Sequence, residues 1–275
     1  MGQAEDRLAD GRHAYSLWQA TGSQQSLDAA IGALRSALPG PWRTAQDAAQ
    51  CLAELVQALS AGAQAGSDRY TTEVIDLMNR VIPVAGQDDP VMLGTRGFAL
   101  MLRYTRHGSL DDLNAAVLDF KKSLAATPAG DIEKYRRVLN VAWASEARFD
   151  RVRARSEQYL GIQVDGVERL RGPRDLVHPI FLIESLLGPD NVLPPAPPGV
   201  VPQLKRNLGN LLSRYAQFVA QRPLEDRKAN MNRAVTLLQE ALTETEPGSF
   251  DHSTTAQSLV AAVQQGRAAR LLSES

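Results

Sequence analysis

The chain has 275 residues and a formal net charge of −1, with hydrophobic residues at 44% and charged residues at 22%. So balanced a charge excludes a global field drawing the chain to nucleic acid or to a membrane surface, and one cysteine, Cys51, excludes an internal disulfide framework and fits a reducing compartment. Aromatic residues at only 5%, beside abundant alanine and leucine, favour helices over strands.

The N-terminal stretch Met1 to Asp10 is polar and acidic, unlike a secretory signal. No apolar run approaches the roughly 20 residues that a membrane span needs. The expected setting is therefore the cytoplasm, with no membrane association. Asp6 to Ala20 carries Leu8, Tyr15 and Trp18 at helical spacing, and Leu27, Ile31, Leu34 and Leu38 follow as a second apolar stripe. Thr44 to Ala61 is the next first helix, with Thr44 and Asp47 spaced close to a capping box, and Thr71, Ile75, Met78 and Ile82 repeat the stripe. Pro90 to Arg106 and then Leu113, Val117, Phe120 and Leu124 repeat it again. These stripes recur about every 42 to 44 residues, inside the range where self-similarity marks stacked helix pairs. Gly22, Gly66 and Gly108 stand where each first helix should stop, and Ser26, Thr72 and Asp112 offer oxygens to cap each second helix.

The centre is less regular. Ile132 to Phe149 reads as a first helix, with an arginine-rich partner over about Asp150 to Leu160 and a further short helix from Arg174 to Leu187. Gly188 to Pro202 contains six prolines and reads as a semi-rigid extended connection. Beyond it, Pro202 to Phe218 pairs with a fourth stripe, Met231, Val235, Leu238 and Leu242, and Thr254 to Leu272 closes the array. The expected fold is all-α, an α-solenoid of about five helix hairpins plus a closing helix, with an irregular, proline-interrupted centre. The expected division is an N-terminal array over 1–188, a proline-rich connection over 189–202, and a C-terminal repeat unit with its closing helix over 203–275.

Residues Leu100 to Pro128, "LMLRYTRHGSLDDLNAAVLDFKKSLAATP", resemble a tetratricopeptide repeat of the actinobacterial type that accompanies caspase-like CHAT domains. "RNLGNLLSRY", Arg206 to Tyr215, followed by "MNRAVTLLQEALTETEPG", Met231 to Gly248, carries the same likeness. The resemblance implies a right-handed superhelix whose concave face, lined by the first helix of each pair, holds a partner. It implies no protease, because the CHAT type needs a histidine and a cysteine in an additional α/β domain. Carried onto Leu208-Gly209, it makes Arg206 and Asn210 groove-facing, with Arg214 one turn further on, and gives Arg137 the corresponding place before Leu139. Arginines and an amide on one stripe suit carboxylates, from acidic side chains or a peptide C-terminus. The same stripe also reads as a solvated face with local ion pairs.

Chemical signatures are otherwise lacking in the sequence. There is no glycine-rich phosphate loop, no dinucleotide fingerprint, no C-x-x-C and no helical histidine pair. His13, His107, His178 and His252 are far apart, and His107, beside Gly108, suits a helix C-terminus. The Asp88-Asp89 and Asp111-Asp112 pairs read as caps, Cys51 as a core residue, and Trp18, Trp42 and Trp143 as packing residues, with Trp143 a candidate to border the groove. The run Arg148, Arg151, Arg153, Arg155 is interleaved with Glu146, Asp150 and Glu157 and lacks aromatic neighbours for base stacking, so no nucleic acid is expected. The reading is a non-catalytic scaffold or adaptor without cofactor or metal. It binds a protein or peptide through Arg137, Arg206, Asn210 and Arg214. The alternative is a regulatory receptor for a small molecule or signal peptide that changes superhelix shape at the proline connection, and a cryptic enzyme comes third.

Overall fold

The computed structural model describes residues 2–39, 44–85, 89–158, 166–218 and 222–272. Eleven α-helices and no strand occur among the described residues, and the fold is all-α and of helical-repeat type. The helices are α1 (Gln3–Thr21), α2 (Gln24–Ala37), α3 (Ala45–Gln64), α4 (Asp68–Ala85), α5 (Pro90–His107), α6 (Leu110–Ala126), α7 (Glu133–Gln158), α8 (Gly166–Leu187), α9 (Val200–Phe218), α10 (Leu224–Thr243) and α11 (Phe250–Ala268). None of them is long and apolar enough to cross a membrane. Two compact units are present, Met1–Asp112 and Leu113–Ser275, dividing in the first turn of α6.

In the first unit, α1 and α2 form one hairpin and α3 and α4 the next. Gly22 and Gly108 take left-handed backbone angles just past α1 and α5, with φ of 68° and 69°, and each amide closes on a carbonyl four residues back. The capping box at Thr44 forms as the spacing predicts. The second-helix caps lie earlier than expected: Ser23 accepts from the Ser26 amide, Ser67 from Tyr70, and Ser109 from Asp112. A serine directly after the turn reaches the third amide of the helix, whereas Ser26, Thr72 and Asp112 already stand inside the first turns. The apolar stripes supply the core, where Leu27, Ile31, Leu34, Cys51, Leu59 and Met78 are fully or almost fully buried. Burial raises the Cys51 thiol pKa, and its Sγ lies 3.5 Å from the Leu34 carbonyl.

Polar links tie equivalent helices together at one-repeat separations. Arg12 on α1 grips Glu54 on α3, 42 residues away, and Arg35 on α2 grips Glu73 on α4, 38 residues away. Arg106 on α5 reaches back to Thr71, Asp68 and the Ala63 carbonyl.

In the second unit, α7 is a single 26-residue helix where two were expected over 132–149 and about 150–160. No glycine or proline falls between Glu133 and Gln158, so nothing in the covalent chain ends the helix at Phe149. Its hairpin partner is α8, which begins at Gly166, eight residues before the expected start. Leu160 lies outside the described residues, as do Trp42 and Asp88 and the side chains of Arg155, Glu157 and Arg174.

The proline-rich segment does not divide the chain. One core joins Tyr135, Val138 and Phe149 of α7, Leu176 and Ile183 of α8, Leu204 and Leu208 of α9 and Ala234 of α10, and Leu193 and Ala196 of the proline segment pack against it. Tyr135 Oη donates to the Pro194 carbonyl at 3.0 Å, and Asn191 Nδ2 donates to Tyr135 Oη at 2.8 Å and to the Leu186 carbonyl at 2.9 Å. Extended prolines cost little conformational entropy to fix, so two anchoring side chains hold the segment as a strap. α11 starts at Phe250, four residues before the expected Thr254, because Ser249 caps it by accepting from the His252 amide at 3.1 Å. Past α11, Arg270 has φ of 55° and the chain turns back, burying Leu271.

Hairpin α9/α10 closes on Gly209: a Cβ there would stand 2.7 Å from Leu238 Cγ and 3.1 Å from the Ala234 carbonyl oxygen. Gly32 on α2 has nothing within 4 Å of such an atom. Gly32→Ala is therefore expected to stabilise the protein by about 0.5–1 kcal/mol, the usual helix-interior gain. Gly209→Ala should instead destabilise by about 1–3 kcal/mol, because overpacking outweighs propensity. Urea unfolding of the two variants gives both signs.

Candidate functional site

Helix α9 runs through the second unit with two differently built sides. At about 100° per residue, Val201, Lys205 and Leu208 cluster on one side, and Arg206, Asn210 and Arg214 lie about half a turn away. The expected polar row thus exists on one helix face. Neighbouring helices determine what it holds.

Arg214 reaches α7. Its Nε and Nη2 donate to the two Asp150 carboxylate oxygens at 3.1 and 3.0 Å, and its Nη1 lies 2.8 Å from Glu146 Oε1. Arg206 reaches α11, donating to Asp251 Oδ1 at 2.8 Å, with Gln203 Nε2 also on that carboxylate at 3.3 Å. Gln217, at the C-terminal end of α9, donates to Gln265 Oε1 of α11 at 2.7 Å. Asn210 stands between the two arginines, half-buried, and makes no side-chain hydrogen bond among the described residues. Trp143 on α7, half-buried, lies three residues before Glu146 and seven before Asp150, on the same helical face. The face α7–α9–α11 is therefore a polar ladder of alternating charge.

Electrostatics distinguish the carboxylates. Glu146 is 16% exposed, and burial pushes its pKa above the ordinary carboxylate range against the pull of Arg214, with Asp150 adding to the rise. Burial disfavours the Arg214 cation, but the hydrogen bond to Asp150 and the charge of Glu146 outweigh it. Asp251 moves the other way: its hydrogen bond from Arg206, then that from Gln203, holds its pKa below the usual aspartate range. Asp150 and Asp251 are 44% and 38% exposed, so the outer members of the ladder meet solvent far more than the inner one.

Arg137 departs from expectation. It is 5% exposed, and its Nη1 donates to Ser123 Oγ of α6 at 2.8 Å. It packs against α6 and lies off the open ladder, because its register on α7 places it on the side of the buried Val141 and Ala144, about half a turn from Glu146. The other arginines of α7 also scatter: Arg148 holds the buried Asp175 of α8, and Arg153 sits 3.9 Å over the Phe218 ring. Among the described residues they form no continuous basic stripe. His107 pairs with Asp68 at 3.2 Å, and Asp112 takes both prongs of Arg103. Partial desolvation on the surface of α8, and then the charge of Lys121, lower the His178 pKa. Among the described residues, no group of three histidines, cysteines or carboxylates is placed to hold a metal ion.

No family model matches the chain, and no curated protein matches it. Among solved structures, a chain from a computational design of self-assembling cyclic protein homooligomers is similar at 9% identity with a TM-score of 0.28, covering 98% of this chain and 94% of that one. A likeness at that score carries no argument about function.

Removing Arg214 leaves Glu146 buried beside Asp150 without its cation. Arg214→Ala is expected to cost about 1–3 kcal/mol at neutral pH, at the lower end of what an orphaned buried charge costs because the arginine is partly exposed. The sign with pH follows from the raised Glu146 pKa. Such a group stabilises the fold most when protonated and loses that contribution as pH rises from the unfolded carboxylate range to the folded value. Without Arg214 the folded value rises further, so the variant should lose more stability than the parent as pH rises above the unfolded carboxylate range. Equal pH slopes in the two unfolding series would contradict this.

Proposed function

We propose that the chain is a non-catalytic scaffold or adaptor of the tetratricopeptide-like kind that binds an extended protein or peptide segment along the α7–α9–α11 face. The observation that carries the reading is Asn210, an amide with no side-chain hydrogen bond among the described residues, set midway between the paired arginines Arg206 and Arg214. A primary amide can donate to and accept from one peptide unit at once, which reads backbone in a sequence-tolerant way.

The arginines act by exchange. Asp251 and Asp150 are partly exposed, so an acidic side chain or a C-terminal carboxylate of the partner replaces one of them while the guanidinium stays in place. Because the outgoing carboxylate is rehydrated, each exchange contributes modest affinity and more selectivity. Trp143, at one edge of the ladder, offers apolar contact. Arg137 is left out of this mechanism, since it is committed to the α6–α7 interface.

The test is selection from a random peptide library with free C-termini on the immobilised protein, followed by titration of the enriched peptides. Enrichment of acidic peptides is expected, with about a tenfold loss of affinity in Asn210→Ala at unchanged thermal stability. Absence of enrichment, or binding indifferent to both Asn210→Ala and Arg206→Gln, would overturn the assignment.

A further inference from the structure

The covalent chemistry of the proline strap fixes its backbone. Proline rings hold φ at about −65° at Pro194, Pro195, Pro197 and Pro198. A residue before a proline is held extended, which adds Leu193 and Ala196. Residues 193–197 therefore form polyproline II, with about three residues per turn and no hydrogen bonds of its own. The segment ends in a turn with Pro198 and Gly199 at its corners, where the Val200 amide donates to the Pro197 carbonyl at 3.1 Å.

That period gives the segment three edges. Leu193 and Ala196 occupy one, and both pack against the core of the second unit. Pro195 and Pro198 occupy another and are exposed, and Val192, three residues before Pro195, is 85% exposed. Pro194 and Pro197 form the last, with Pro194 exposed and Pro197 half-buried. One edge thus serves the fold and two are turned outward. Beside Pro195 lies an open hollow of about 620 Å³ between the strap, α8, α9 and α10, which leaves that side of the strap uncovered. Tyr135 and Asn191 hold the strap in place, and no hydrogen bond among the described residues reaches the Pro195 and Ala196 carbonyls.

Charge is placed at one end. Asp190, exposed and without an ion pair among the described residues, is the only charged residue between Gly188 and Leu204. Around the hollow, Arg233 pairs with Glu184 and Lys205 with Glu240, so the surroundings of the prolines add no open charge. We infer that the strap is itself a ligand: its two outward edges dock in an aromatic-lined groove of a partner protein, with a cationic side chain at the groove end that meets Asp190. Aromatic grooves recognise polyproline II in this way, and the Pro195 and Ala196 carbonyls offer acceptors to donors lining the groove. The strap is already fixed in the docked conformation, so little ordering entropy is lost on association. The α7–α9–α11 face, which receives a partner segment, uses no residue of the strap, so the two assignments stand or fall separately.

The experiment is calorimetric titration of the full chain with isolated SH3, WW and EVH1 domains, each prepared with lysine or with glutamate at the end of its aromatic groove. At least one lysine form is expected to bind, and to bind the full chain about threefold or more tightly than a free peptide of residues 188–201. Its glutamate form should bind about tenfold more weakly, because it faces Asp190 with like charge. Pro195→Ala should lose about tenfold in affinity while the helical circular dichroism stays that of the parent, since this ring lies on an outward edge. Failure of every lysine form to bind, binding of the free peptide as tight as that of the full chain, equal affinity of the two charge forms, or unchanged affinity in Pro195→Ala would each overturn the inference.

Discussion

A lone amphipathic hairpin cannot bury its own apolar stripe, and the rest of this structure depends on that constraint. Leu204, Leu208, Leu211 and Leu212 of α9 are fully or almost fully buried only because α7, α8 and α10 lie against them. Burial of each such side chain contributes about 1.5–3 kcal/mol, so the stacking contact outweighs any propensity of the separate helices. Close approach at Gly209 brings α9 down onto α10 and fixes its rotation about its own axis. That rotation decides which residues of α9 face the core, which face the hollow and which form the polar row.

The polar links follow from the same stacking. Arg12–Glu54, Arg35–Glu73 and Arg206–Asp251 join helices in equivalent places of neighbouring pairs, at sequence separations of 42, 38 and 45. Exposed pairs of this kind contribute little stability. They do select register, since a slip of one helical turn would separate every partner. Where the same chemistry is drawn inward, as at Glu146 and Arg214, it becomes costly to disturb and sensitive to pH.

Periodicity made most of the fold legible. The four stripes, the glycine stops at Gly22 and Gly108 and the Thr44 capping box lie on the chain in their structural order, because each is a local signal. The break expected at Phe149 was misplaced for a local reason too: a rise in arginine content resembles a new segment, yet charge alone does not end a helix. The proline segment was legible as extended, but its anchoring to α7 and α8 was not. Its anchors, Tyr135 and Asn191, are 56 residues apart, and no short window connects them.

For the site, the i, i+4, i+8 spacing of Arg206, Asn210 and Arg214 puts one row on one face of α9. Their partners stayed hidden because Asp251 and Glu146 meet them through hairpin packing. The one available signal was the repeat length itself, which projects Arg206 onto the neighbourhood of Asp251. Arg137 shows the limit of transferring a motif position between units of unequal regularity, since its register on α7 puts it about half a turn from Glu146, at the contact with Ser123.

Amide hydrogen exchange across the second unit bears most directly on the central claim, that α7, α8, the strap, α9 and α10 share one core that holds α9 rigid. The predicted result is a common slowest-exchanging class in the middle of α7, α8, α9 and α10, lost together as denaturant is added. Contradiction would come from α9–α11 opening as a separate unit while α7 and α8 stay protected, which would return the boundary to the proline segment.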